Sequence, residues 1–124
     1  ATPLVSHSDT SETDMEGIET VHAHIMAHLD EPLPSLATFA DRLHVDATTL
    51  QDRFKRTYGK TIYQCYQQER LRKGYQLIIT TRLYLKEIAY QCGFDDYINF
   101  YKAFKKAYGM APSALLRPTP FNFP

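Results

Sequence analysis

Few side chains in this chain are spaced for covalent or metal chemistry. Cys65 and Cys92 show no CxxC spacing and have no neighbouring His. They read as buried thiols of a reducing cytoplasm rather than nucleophiles or half-cystines. His24 and His28 stand at i, i+4, a spacing that can hold zinc, with His22 close by. No cysteine or third clustered ligand accompanies them, so no metal site is expected. There is no glycine-rich phosphate loop, no nucleophile elbow and no convincing pair of carboxylates. No catalytic residue and no cofactor is assigned, and the chain is not expected to be an enzyme. What remains is the chemistry of charge and hydrogen bonding.

That chemistry is unevenly distributed. The 124 residues carry 14 Lys and Arg against 14 Asp and Glu, a formal net charge of zero. Residues 1–35 hold seven acids (Asp9, Glu12, Asp14, Glu16, Glu19, Asp30, Glu31) and no Lys or Arg, whereas residues 36–124 net +7. A basic segment set against an acidic one points to nucleic acid or another acidic surface as its partner. No apolar run approaches membrane-spanning length, and no signal peptide opens the chain, so no membrane association is expected. The first residue is Ala, which reads as a fragment or processed product with other domains missing.

The elements that must position these charges come in two similar copies. Leu36–Leu43 leads through a short break to Leu50-Gln51-Asp52-Arg53-Phe54-Lys55-Arg56-Thr57-Tyr58-Gly59. Leu85–Cys92 leads through Gly93 to Phe100-Tyr101-Lys102-Ala103-Phe104-Lys105-Lys106-Ala107-Tyr108-Gly109. Ala40, Phe54, Lys55, Tyr58 and Gly59 recur as Ala89, Phe104, Lys105, Tyr108 and Gly109. Ala40 to Ala89 is an offset of 49 but Phe54 to Phe104 one of 50, so the second copy has one extra residue after its turn. Two helices joined by a three- or four-residue turn make a helix-turn-helix. Two copies, each ending in a basic helix, suggest one device presented twice along an extended partner such as DNA.

Residues 1–17 are rich in Ser, Thr, Asp and Glu and read as a flexible acidic linker or tail. Ile18, Val21, Ile25 and Leu29 then fall at helical spacing. Ser35 is the expected N-cap of Leu36–Leu43, and Asp46 that of a helix from Ala47 to Thr57, which Gly59 ends. Thr61 caps a long helix to about Thr80, with Ile62, Tyr66, Leu71, Leu77 and Ile78 buried and Arg70, Arg72 and Lys73 between them. Gly74 in mid-helix costs roughly 1 kcal/mol relative to Ala and so signals close packing. Gly93 supplies the left-handed turn residue that the first copy builds with His44, which puts His44 under slight strain. Asp95 or Asp96 caps the next helix, to about Ala107, and Pro112 opens a short last helix through Leu116. The first lobe is then about 18–60, the connecting helix about 61–80 and the second lobe about 81–117. Residues 118–124 form a C-terminal tail. Thr48, Thr49, Gln51 and Asp52 lie on the face of their helix opposite Leu50 and Phe54.

Glu87-Ile88-Ala89-Tyr90-Gln91-Cys92-Gly93-Phe94, followed by Asn99–Ser113, resembles the signature of the AraC/XylS family of bacterial transcription regulators. The first copy and Arg70-Leu71-Arg72-Lys73 fit as well, so the resemblance covers about residues 18–117. It implies an all-α fold of about seven helices, in two helix-turn-helix lobes joined by a long central helix. It also implies double-stranded DNA as partner, a preceding effector-binding or dimerisation domain, and a place in the bacterial cytoplasm at the nucleoid. By resemblance Thr48, Gln51 and Asp52, with Thr49 beside them, take base-reading positions in the first lobe. Tyr97, Ile98, Asn99 and Lys102 take them in the second. Asn and Gln suit adenine, Lys suits guanine, and Ile and Thr methyls suit the thymine methyl. Phosphate contacts are expected from Lys55, Arg56, Lys60, Thr61, Lys105 and Lys106, which position the protein without specifying sequence.

Asp52 departs from the pattern, standing where the family often has Arg. A carboxylate can accept from cytosine N4 but repels phosphate, so the second lobe is expected to be the stronger reader. A central helix of about 20 residues spans roughly 30 Å, near the roughly 34 Å between consecutive major grooves on one DNA face. The rival reading is a protein-interaction module, for example one contacting RNA polymerase, with weak, sequence-independent DNA binding.

Overall fold

The computed structural model describes residues 17–116. The tail at 118–124 and the acidic linker, apart from Gly17, lie outside the described residues. The described residues form α-helices and one 3-10 turn, with no strand among them. We label the helices α1 (17–27), α2 (Leu36–Leu43), α3 (Ala47–Tyr58), α4 (Ile62–Thr80), α5 (Leu85–Gln91) and α6 (Tyr97–Tyr108). The seventh helix expected at Pro112 is a single 3-10 turn, Pro112–Leu115, with the proline in its first turn. Four residues are too few for an α-helix in which every backbone bond can form.

By contact the described residues divide into two units, 17–28 with 33–66, and 29–32 with 67–116. α4 runs through both, its residues up to Tyr66 in the first and from Gln67 in the second.

In the first unit, Ile18, Val21 and Ile25 of α1, Phe39 and Ala40 of α2, and Leu50 and Phe54 of α3 are all buried. Ile62, Cys65 and Tyr66 at the start of α4 are buried too. The Ser35 hydroxyl accepts from Thr38 N at 3.1 Å, and the Asp46 carboxylate from Thr49 N at 3.2 Å. Between them His44 stands at φ 56, the one non-glycine residue with positive φ among those described. Val45 N donates to Ala40 O at 3.0 Å, which closes the turn as in a Schellman motif.

The second unit repeats this with one change. Phe94 N donates to Ala89 O at 3.0 Å, the counterpart of Val45 N to Ala40 O. The left-handed position is now Gly93, at φ 85. Here glycine is required twice over: a Cβ at this position would lie 2.6 Å from Leu29 O. The extra residue follows the turn, so Asp96 is the cap of α6 and accepts from Asn99 N at 2.8 Å. The core holds Leu71, Ile78, Ile88, Ala89, Cys92, Phe94, Phe100 and Phe104. Gly74 of α4 lies directly under Phe100, whose ring would stand 2.8 Å from an added Cβ.

Candidate nucleic-acid interface

α3 and α6 each bury one edge and present the other. On α3, Leu50 and Phe54 are buried, while Thr48, Asp52, Lys55 and Arg56 are exposed. On α6, Phe100 and Phe104 are buried, while Ile98, Asn99, Lys102, Lys105 and Lys106 are exposed. The structure thus gathers most of the expected contact residues on two outward helix faces. Their N-terminal turns are fixed by Asp46 and Asp96, whose carboxylates each satisfy an orphan backbone N–H.

The remaining expected residues are placed differently. Thr49 is half-buried. Gln51 is half-buried and turned toward α4, its Oε1 accepting from Ile62 N at 3.1 Å. It therefore ties the end of one helix to the start of the next, a task that its position in the sequence did not predict. Thr61 is the N-cap of α4: its hydroxyl accepts from Gln64 N at 3.1 Å, and Gln64 Oε1 accepts from Thr61 N at 2.9 Å. That reciprocal pair is a capping box. Lys60, next to it, is half-buried. Tyr97 is half-buried against Phe100 and Tyr101, with ring centroids at 6.3 and 6.1 Å.

The two faces differ in charge. On α3 the Arg56 guanidinium donates to the Asp52 carboxylate at 2.6 Å, both side chains being largely exposed. The positions equivalent to these two, at the offset of 50, are Lys102 and Lys106 on α6. One face thus carries a closed ion pair where the other carries two cations. Lys105 also lies near Tyr101, its ammonium 5.9 Å from the ring centre.

Two further cations act behind α5. Arg70 is buried; its Nε donates to Cys92 O at 2.8 Å and its guanidinium lies 3.8 Å from the centre of the Phe94 ring. Lys73 Nζ donates to Gln91 O at 3.0 Å. Both satisfy carbonyls at the C-terminal end of a helix, where the dipole also favours positive charge. The sequence placed Arg70 and Lys73 between the buried positions of α4. Arg70 in fact belongs to the buried row Ile62, Tyr66, Arg70, Gly74 and Ile78, each four residues on from the last. That spacing was visible, but Arg70 was set between the buried positions rather than among them.

This architecture is that of a known class. The family described as Helix-turn-helix domain matches residues 39–118, more than half of the chain. The chain belongs to that family, as a member of the AraC/XylS group of DNA-binding transcription regulators.

Among its relatives, the Xylose operon regulatory protein of Escherichia coli (strain K12) is 38% identical over 72 residues, 58% of this chain and 18% of the relative. The chain thus spans about a fifth of that regulator's length. The C-terminal domain of AraT, a response regulator from Geobacillus stearothermophilus, superposes with a TM-score of 0.72 at 27% identity, over 80% of this chain and 82% of that one. The DNA-binding domain of AdpA, a global transcriptional factor solved in complex with a target DNA, gives 0.70 at 26% identity, over 78% and 86%.

Proposed function

We propose that this chain reads double-stranded DNA in a sequence-specific manner, laying α3 and α6 in successive major grooves to regulate transcription. The observation that carries the reading is the pair of N-capped helices, each buried on one edge and polar or basic on the other. A helix of that kind fits the major groove and brings its N-terminal residues to base edges. On α3 the base-reading residues are Thr48 and Asp52, with Thr49 at the margin. On α6 they are Ile98, Asn99 and Lys102, with Tyr97 as a packed support. Lys55, Lys105 and Lys106 contact phosphates. Lys60 and Thr61 offer a phosphate a cation and a hydroxyl at the N-terminus of α4, where the helix dipole favours an anion.

The longer relatives support an effector-binding or dimerisation domain working with this one, and the DNA-reading role supports a site of action on the nucleoid in the cytoplasm. The thiol chemistry of Cys92 supports a binding role over that of an enzyme whose cysteine takes an alkyl group onto sulfur. Burial pushes that thiol up to about 11, whereas an acceptor thiol needs activation in the other direction.

The test is a titration of affinity against salt, on a sequence selected from random DNA and on random DNA. A steep salt dependence on both, with strong preference for the selected site, is the expected result. Affinity that is weak and equal on the two would leave only the interaction-module reading, and no DNA binding by the full-length protein would sink the proposal. Lys102→Ala should relax preference at one base pair, by on the order of 10-fold. Lys105→Ala should weaken all sequences alike and lower the salt slope by about 1. Equal losses on selected and random DNA for Lys102→Ala would refute its role as a reader.

A further inference from the structure

We infer that Arg56, held by Asp52, is a base-reading side chain of the first lobe, with guanine as its chemical target. This rests on the DNA-reading function proposed above and goes beyond it, because residue identity alone assigns Arg56 to a phosphate and has Asp52 read without a partner.

The geometry points the other way. Arg56 stands in the last turn of α3, one turn beyond Asp52. Its Nη2 lies 2.6 Å from Asp52 Oδ2, so the guanidinium is drawn back toward the N-terminus of the helix. Helical side chains already lean that way, and Asp at i with Arg at i+4 is a favoured order. The result sets a planar cationic fork beside Asp52 and one turn from Thr48, on the exposed face that base readers occupy. A guanidinium has five N–H donors. With one directed to the carboxylate, others remain to meet guanine O6 and N7, the acceptor pair that Arg recognises best. Asp52 biases Arg56 toward one of its many rotamers before DNA arrives. Its negative charge, which would repel a phosphate, is neutralised by the same contact.

The second lobe shows what the alternative looks like. Lys102 and Lys106 occupy the equivalent positions on α6 and repel each other, so nothing draws Lys106 back toward the N-terminal turns. Lys106 then suits a phosphate, and Lys102 reads alone. The same two positions thus divide the work differently in the two lobes.

The experiment uses the full-length protein and measures affinity for the selected site, for its single-base variants and for random DNA, each across salt. Arg56→Lys keeps the charge but loses the fork. It should lose on the order of 10-fold on the selected site and little on random DNA, with the loss confined to one G·C pair. Asp52→Asn should relax preference at the same pair, and the double variant should cost no more than the worse single one. Full retention of the selected-site preference by Arg56→Lys would overturn the assignment. So would an Asp52→Asn variant that binds every sequence more tightly with a salt slope raised by about 1, because Asp52 would then only be withholding a phosphate ligand. Lys102→Ala is the control: if it relaxes specificity while Arg56→Lys does not, this inference fails and the DNA-reading function stands. If the wild-type protein selects no sequence, both fail together.

Discussion

Burial sets the behaviour of Cys92. Removal from water raises its thiol from the ordinary 9.0 to about 11, and Lys73 and Arg70 pull it back only in part. The consequence for stability follows from proton linkage. Below about pH 9 both folded and unfolded chains hold the proton, and the contribution is fully present. As pH rises from about 9 toward 11 the unfolded chain releases the proton and the folded chain keeps it, so stability falls, by at most about 3 kcal/mol. Tyr58, Tyr97 and Tyr108 are also raised, chiefly by burial, and act in the same direction. Urea unfolding followed from pH 8 to 10.5 should therefore show declining stability, with a shallower decline for Cys92→Ala. Identical slopes for wild type and variant would contradict a raised thiol. That both cysteines are buried was legible in the sequence, which gives them neither CxxC spacing nor a neighbouring His. The role of Arg70 was not, because its partner Cys92 O is 22 residues away and only the fold brings the two together.

Among the elements, α4 depends most on a single small residue. Glycine in mid-helix costs roughly 1 kcal/mol relative to alanine, so Gly74→Ala would stabilise an isolated helix. Here the added Cβ would meet the Phe100 ring at 2.8 and 2.9 Å and Cys92 Sγ at 3.4 Å. Phe100 is fully buried and faces Phe94, Tyr97 and Phe104, with centroids 5.3 to 6.3 Å away. Its ring cannot swing aside without disturbing the core. Overpacking of this kind typically costs about 1–3 kcal/mol, so the substitution should lower the unfolding midpoint despite the gain in helix propensity. It should also weaken DNA binding through α6, because Phe100 is the inner edge of that helix. A raised midpoint would mean that the two helices have room to spare.

The close packing at Gly74 was legible, as were the caps at Ser35, Asp46 and Thr61, because each is a local rule acting within three or four residues. Asp95 and Asp96 were equivalent on paper. The turn resolved them, since the extra residue after Gly93 puts Asp96 three residues before Asn99. Gln51 lies beyond such rules: the sequence set it on the outward face, and the N–H of Ile62, eleven residues on, holds its side-chain oxygen toward α4.

At the scale of the whole molecule the controlling quantity is the division of charge, with a basic 36–124 joined to an acidic 1–35. The duplicated helix-turn-helix pattern was legible because it is written twice. The shared pairs Ala40/Ala89 and Phe54/Phe104 are buried, and Asp52/Lys102 and Arg56/Lys106 are pairs that differ and face outward. What composition could not convey is that a net charge of zero describes neither part. Asp9, Glu12, Asp14 and Glu16 contribute four negative charges within the first 16 residues. They oppose the approach of any polyanion as long as they lie within a Debye length, about 10 Å at 0.1 M salt, of the contact surface. Converting these four to Asn or Gln takes the net charge from zero to +4 and leaves every contact residue of α3 and α6 untouched. Affinity for random DNA at low salt should then rise several-fold, through faster association, and preference for the selected site should be unchanged. The gain should fade as salt is raised toward 0.5 M, where the Debye length falls to about 4 Å. A gain that survived high salt would show that these acids oppose binding by some direct contact rather than through their field. A change in sequence preference would show the same.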